Sequence, residues 1–284
     1  MTTIDKVAVL GAGTMGHGVA QVCATAGMQV VLRDLSDDVL NKGLAGIERS
    51  LAKLASKGRI SDDDAKGARE RIRTTTDFEG AVAEADLVIE AIPERMDLKV
   101  ETFAALGDKA PAHAILASNT SSLSVTEIAA ASGHPGRVVG LHFFNPVPLM
   151  KLLEIVRGLG TSEATVDAAK GFGARIQKDP IVVSDVPGFA SSRLGVILGC
   201  EAIRMLESGV ASAEDIDKAM KLGYRHPMGP LELTDLVGLD VRLAILEHLT
   251  REVGDQFRPP VLLRQMVRAG KLGRKTGEGF YKYD

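Results

Sequence analysis

In the stretch HFFNPVPLMKLLEIV an imidazole and a carboxylate, His142 and Glu154, stand twelve residues apart in apolar, strand-like surroundings on either side of a proline-containing turn. A carboxylate buried in a strand must be given a charged or hydrogen-bonding partner, because leaving it unpaired is costly or forces it to neutralise. If the turn is centred on Pro148, the two residues are equidistant from it, and antiparallel strands place them directly opposite each other. Leu152, Glu154 and Val156 then share one strand face, which shields the carboxylate from water. Such a partner fixes the tautomer of an imidazole and stabilises the imidazolium, equipping the histidine as a general base or acid near neutral pH. A structural buried pair is the alternative that these residues alone leave open.

Chemistry of this kind needs a partner reaction, and the N-terminal end supplies one. Val7 to Leu10 reads as a buried strand, followed by Gly11-Ala12-Gly13-Thr14-Met15-Gly16 and a helical pattern. A second apolar run, Val30-Val31-Leu32-Arg33, ends at Asp34. Alone the G-x-G-x-x-G spacing is weak; between strand and helix, with an acid at this distance, it reads as a dinucleotide site. Gly11, Gly13 and Gly16 permit a tight turn and close backbone approach, so that a pyrophosphate can sit on the helix N-terminus beside Thr14 and Met15. Asp34 favours NAD over NADP, since a carboxylate accepts from a ribose 2′-hydroxyl and repels a 2′-phosphate. Arg33 beside it keeps some tolerance for NADP open. Base plus nicotinamide implies alcohol oxidation, in which the base takes the hydroxyl proton while hydride leaves for the cofactor.

The elements that must position these groups follow from periodicity. Strands are predicted at Lys6 to Leu10, Gln29 to Arg33, Leu87 to Ile92, Ala114 to Ala117, Arg137 to Phe143, Leu152 to Arg157 and Ile181 to Ser184, with helical patterns between most of the early ones. That alternation implies an α/β fold of Rossmann type, with a mostly parallel sheet covered by helices. After Pro187-Gly188 strand signals nearly vanish, and helical patterns cover about 190–208, 212–222, 230–253 and 259–270, with Ser212 as an N-cap. The expected organisation is a nucleotide-binding domain over residues 1–186 and an all-helical domain over 187–284.

Chemistry in such a fold collects beyond the carboxyl ends of the strands. Three polar clusters lie there: Pro93-Glu94, Ser118-Asn119-Thr120-Ser121-Ser122, and His142-Phe143-Phe144-Asn145. The serine-rich turn also reads as an N-cap for the helix after Leu123, which does not require so many hydroxyls. On the predicted helix from Asp37 to Gly58, Ile47, Leu51 and Leu54 make an apolar face, and Ser50, Lys53 and Lys57 line up beside it. From spacing alone that line is a solvated lysine face; it is also a shape that could grip a phosphorylated substrate handle.

Composition excludes other classes. Of 284 residues, 45% are hydrophobic and 25% charged, and a net charge of -3 leaves no strong basic field for nucleic acid or an anionic membrane. The N-terminus lacks the pattern of a secretory signal, and no apolar run approaches a membrane span. Cys23 and Cys200 read as small buried thiols, and a reducing cytoplasm is expected. The six histidines are scattered without ligand spacing, so no metal site is expected, and no G-x-S-x-G elbow is present.

Taken together, Gly11 to Gly16, the turn Ser118 to Ser122, Gly140-Leu141-His142-Phe143-Phe144-Asn145-Pro146, Pro227-Met228-Gly229-Pro230 through Gly238-Leu239-Asp240, and the ending Lys275-Thr276-Gly277-Glu278-Gly279-Phe280-Tyr281 resemble the L-3-hydroxyacyl-CoA dehydrogenase family, most closely its short bacterial 3-hydroxybutyryl-CoA dehydrogenases. The resemblance runs essentially from end to end. It implies NAD as cofactor, an acyl-CoA substrate, reversible oxidation of (S)-3-hydroxyacyl-CoA, and a homodimer formed through the helical domain. It implies His142 as general base, Glu154 as its orienting carboxylate, and Ser121 and Asn145 as groups holding substrate and nicotinamide. Glu94, Lys99 and Lys275 match further NAD contacts, and Ser50, Lys57 and Lys53 the CoA-contacting stripe. One departure stands out: where the family usually has Pro-Gly-Phe-x-x-Asn-Arg, this chain has Ser192, a shorter hydroxyl in place of a substrate-contacting amide. A 3-hydroxyadipyl-CoA or longer-chain enzyme, a dehydrogenase of free sugar acids, and a catalytically silent NAD-binding protein are the alternatives.

Overall fold

The computed structural model describes residues 3–283. The chain divides into two compact units, Met1–Asp185 and Val186–Asp284.

In the first unit the chain runs β1 (Lys6–Leu10), α1 (Thr14–Thr25), β2 (Gln29–Arg33), α2 (Asp37–Ser56), α3 (Asp62–Glu70), β3 (Ile72–Thr75), α4 (Phe78–Val82), β4 (Leu87–Glu90), α5 (Met96–Lys109), β5 (Ile115–Ser118), α6 (Val125–Ala131), β6 (Val138–Phe143), β7 (Leu152–Arg157), α7 (Glu163–Arg175) and β8 (Asp179–Ser184). The strands form one sheet in the order β3-β2-β1-β4-β5-β6-β7-β8. Every neighbouring pair is parallel except β6 and β7, which run antiparallel. The strand order reverses at β1 and β4, the place where a doubly wound sheet opens a crevice at its carboxyl edge. The central strands are buried on both faces and accordingly apolar, with Val7, Val9, Leu87, Ile89 and Leu116 closed off from solvent. Val19, Ala20, Cys23 and Ala24 of α1 share one core with Val7, Val9, Leu87 and Ile89, small enough to bring the helix close to the sheet.

Within this unit, apart from strand ends displaced by one or two residues, two features differ from the periodicity. Strand β3, Ile-Arg-Thr-Thr, buries only Ile72 and lies at the sheet edge, so it carries no apolar alternation to read. The helix that follows Leu123 is capped by Ser124, which accepts from the Glu127 N–H, and not by a residue of the Ser118 to Ser122 turn.

The second unit contains α8 (Ser191–Glu207), α9 (Ala213–Gly223), α10 (Pro230–Val237), α11 (Leu239–Glu252) and α12 (Val261–Arg268). The continuous pattern over 230–253 is two helices, parted at Gly238, whose φ of 106° ends α10 and starts α11. Val196, Cys200 and Ile203 of α8 pack with Leu231, Leu246, Leu249 and Leu263 in a separate core. Ser212 caps α9 by accepting from the Asp215 N–H. Buried Asp235 accepts from the N–H groups of Phe280 and Tyr281 and from the Tyr283 hydroxyl, which fastens the C-terminal segment to α10.

Candidate active site

The glycine turn joins β1 to α1 with Gly13 as the helix N-cap, which has no side chain to accept from the first-turn N–H groups. Gly11 has φ 103°, and a Cβ there would press on the carbonyl oxygen of Ala91, the residue after β4. A Cβ on Gly16 would overlap the Gly11 carbonyl, so this position also closes the turn. At Gly13 the same atom would meet nothing within 4 Å: the turn is tight on its inner side and open on its outer side. The first-turn N–H groups of α1, at Thr14 and Met15, therefore present the positive end of a helix dipole to open space, which suits a pyrophosphate. Asp34, directly after β2, accepts from the Ala12 N–H at 2.6 Å through Oδ2 and from the Leu35 N–H at 2.6 Å through Oδ1. Its carboxylate is thus held against the glycine turn with lone pairs to spare for ribose hydroxyls. These residues fit a dinucleotide.

The turns after β4 and β5 are tied together by two carboxylates. Glu94 Oε1 accepts from the Thr120 hydroxyl at 2.6 Å, the Ser121 N–H at 2.8 Å and the Ser122 N–H at 3.2 Å, with the Ser121 hydroxyl also at 3.2 Å. Partial burial pushes the Glu94 carboxyl up, but the Lys99 ammonium and the Thr120 and Ser121 donors outweigh it and hold the group below the usual carboxylate range. Lys99 is itself 1% exposed and sits beneath Glu94, its Nζ 3.3 Å from Glu94 Oε2 and 2.6 Å from Glu90 Oε1. Sequence reading does not single out Glu90. The signal is present all the same: a carboxylate ending the apolar run Leu87-Val88-Ile89 poses the same question of a buried partner as Glu154.

In β6 and β7 the register sets His142 opposite Glu154. The His142 ring nitrogen Nδ1 lies 2.7 Å from Glu154 Oε2, with His142 6% and Glu154 0% exposed. The Phe144 ring packs against the imidazole at a centroid distance of 4.4 Å. Asn119 at the end of β5 accepts from the Phe143 N–H at 2.9 Å and so couples the β5 turn to the end of β6. Asn145 is exposed in the hairpin beyond His142, and Ser121 is half-buried.

The remaining candidates lie on other elements. Ser50 and Lys53 lie on α2 and Lys57 is its C-cap, with both lysines exposed. Ser192 and Lys275 belong to the second unit, where Lys275 Nζ donates to both oxygens of Asp240 at 2.6 and 2.7 Å.

A buried imidazole–carboxylate pair near the carboxyl end of a strand, in a sheet whose crevice fits a dinucleotide, suits the class of nicotinamide-dependent dehydrogenases. Residues 6–186 match the model of the 3-hydroxyacyl-CoA dehydrogenase NAD binding domain, and residues 188–283 match that of the 3-hydroxyacyl-CoA dehydrogenase C-terminal domain. The chain belongs to the 3-hydroxyacyl-CoA dehydrogenase family, whose cofactor is NAD. A probable 3-hydroxybutyryl-CoA dehydrogenase of Deinococcus radiodurans is 48% identical over 279 residues, covering 98% of this chain and 100% of its own. The 3-hydroxybutyryl-CoA dehydrogenase of Clostridioides difficile is 45% identical over 280 residues, covering 98% and 99%. The crystal structure of (S)-3-hydroxybutyryl-CoA dehydrogenase from Ralstonia eutropha superposes with a TM-score of 0.95 at 44% identity, covering 99% of this chain and 100% of its own.

Proposed function

We propose that this enzyme interconverts (S)-3-hydroxybutyryl-CoA and acetoacetyl-CoA, with His142 as general base in oxidation and general acid in reduction. The observation that carries the mechanism is the 2.7 Å contact between His142 Nδ1 and Glu154 Oε2 in a pair closed off from bulk water. With Nδ1–H donating to the carboxylate, Nε2 is the nitrogen that takes the proton of the substrate hydroxyl. Bound NAD would supply the acceptor for the hydride that leaves the carbon bearing that hydroxyl. The Glu154 charge offsets the imidazolium that forms, and in the reverse direction His142 returns the proton to the new alkoxide oxygen. Ser121 and Asn145 hold the substrate oxygen and the nicotinamide, with Glu94 fixing the turn that carries Ser121. Asp34 takes the adenine ribose, and Glu94, Lys99 and Lys275 serve the cofactor as well.

The CoA handle is assigned to Ser50, Lys53 and Lys57, which offer a hydroxyl and two cations along one side of α2. The butyryl substrate is supported by the names of the relatives above, and Ser192, standing where the family usually has Asn, is assigned an effect on turnover or substrate preference. A homodimer through the helical unit is supported by its exposed Leu194, Leu222, Leu236 and Tyr224. Free, buried Cys23 and Cys200 go with a reducing cytoplasm.

The test is kcat/KM over a series of 3-oxoacyl-CoA chain lengths and on acetoacetate without CoA. Preference for acetoacetyl-CoA, with the free acid hardly used, is expected. A longer thioester turned over faster would overturn the butyryl assignment, and equal use of the free acid would overturn the CoA stripe. Ser192→Asn is expected to shift the chain-length profile; unchanged kinetics at every length would remove Ser192 from the site.

A further inference from the structure

The most enclosed charged group near the dinucleotide turn is one that the mechanism above does not use. Glu90 ends β4 and is 0% exposed. Its Oε1 accepts from Lys99 Nζ at 2.6 Å and from the Ile92 N–H at 2.8 Å, and its Oε2 accepts from the Ser118 hydroxyl at 2.6 Å. Its backbone carbonyl accepts from the Asn119 N–H at 2.8 Å, and its register partners are Leu10, which precedes the glycine turn, and Ser118. One residue is therefore joined to the end of β1, the β4 turn, α5 and the β5 turn.

Two carboxylates share one ammonium here, and they share it unequally. Lys99 bonds closely to Glu90 and stands 3.3 Å from Glu94 Oε2. Glu94 is thus supported from beneath without being drawn in, which leaves its Oε1 to collect the donors of Thr120, Ser121 and Ser122. If Glu90 lost its charge, the buried ammonium would have Glu94 as its one close anion. A buried charge that loses its partner moves toward whatever can replace it. Drawing Glu94 toward Lys99 would release the turn that carries Ser121.

We propose that Glu90 is a positioning residue for the cofactor side of the site, acting through Lys99 to hold Glu94 and the Ser121 turn where the nicotinamide half of the dinucleotide meets them. This rests on Glu94 and Ser121 being cofactor and substrate contacts, as proposed above. Glu90→Gln keeps the shape and removes the charge.

The test measures the Kd for NADH and the separate values of kcat and KM in the full-length protein. Glu90→Gln is expected to raise the Kd at least about tenfold, the scale reached when a buried hydrogen-bonded charge loses its partner. On a Lys99→Met background the same substitution is expected to change Kd by less than about twofold, because the group through which it acts is gone. A core truncation on α7, Val166→Ala, is expected to lower Tm with the parental Kd, which separates positioning from loss of stability. A folded Glu90→Gln protein with the parental Kd would overturn the proposal, and so would full additivity with Lys99→Met. If Glu90→Gln does not fold, Glu90→Asp, which keeps the charge but shifts it, takes its place: a raised Kd supports the proposal and a parental one overturns it. Glu94→Gln measured alongside separates the two levels. A parental Kd there would remove Glu94 from the cofactor site, whereas a raised Kd there with a parental value in Glu90→Gln would overturn the present inference alone.

Discussion

His142→Ala is expected to slow acetoacetyl-CoA reduction by about 10²–10⁴-fold, the usual worth of a positioned general acid or base, while NADH binds with nearly the parental Kd. The two halves of this expectation follow from different parts of the molecule. In the proposed mechanism proton transfer belongs to β6 and β7, where His142 faces Glu154, and the dinucleotide fits the turn between β1 and α1 beside Asp34. Removing the ring leaves the Glu154 carboxylate at 0% exposure without its imidazole, so a fall in stability accompanies the substitution. The NADH Kd therefore serves also as the check that the protein measured is folded. A variant within a few-fold of the parent would show that His142 is not the acid.

Glu154→Gln is expected to lower the rate by at least about 10²-fold, since replacing the carboxylate of a buried imidazole–carboxylate pair by an amide both removes the charge that offsets the imidazolium and permits the wrong tautomer. A glutamine can accept from Nδ1–H through its oxygen or donate to Nδ1 through its nitrogen. In the second arrangement the ring proton sits on Nε2, the nitrogen that must accept. A Glu154→Gln rate within a few-fold of the parent's would contradict the pairing on which the mechanism rests.

What was legible in the sequence tracks how strongly each feature constrains residue type. His142 and Glu154 could be paired because a buried carboxylate demands a partner and a hairpin centred on Pro148 leaves one register that supplies it. The glycine turn could be read because Gly11 and Gly16 sit where a Cβ has no room. Strand β3 could not, since an edge strand that buries only Ile72 needs little from its other side chains. The division at Gly238 is hidden for the opposite reason: Leu231 before it and Leu239 and Leu246 after it serve one core, so the apolar pattern runs through the break. Glu90 poses the same question as Glu154 but has no partner at hairpin spacing. Its ammonium comes from the next helix, nine positions along the chain, and only the packing of α5 on the sheet brings Lys99 there.

The serine-rich turn shows how a correct position can carry an incomplete explanation. Ser118, Thr120 and Ser121 are not helix caps; their hydroxyls donate to Glu90 and Glu94, while Ser124 caps α6. The excess of hydroxyls reflects two carboxylates that must be satisfied at the edge of the sheet, an acceptor demand that no local pattern records.

The measurement that bears most directly on the central claim is the initial rate of cofactor oxidation when the purified protein is given acetoacetyl-CoA with NADH, and separately with NADPH. Rapid turnover with NADH and a much slower rate with NADPH are expected, from the His142–Glu154 pair and the Asp34 carboxylate respectively. No turnover with either cofactor, in a protein that binds NADH, would contradict the assigned reaction.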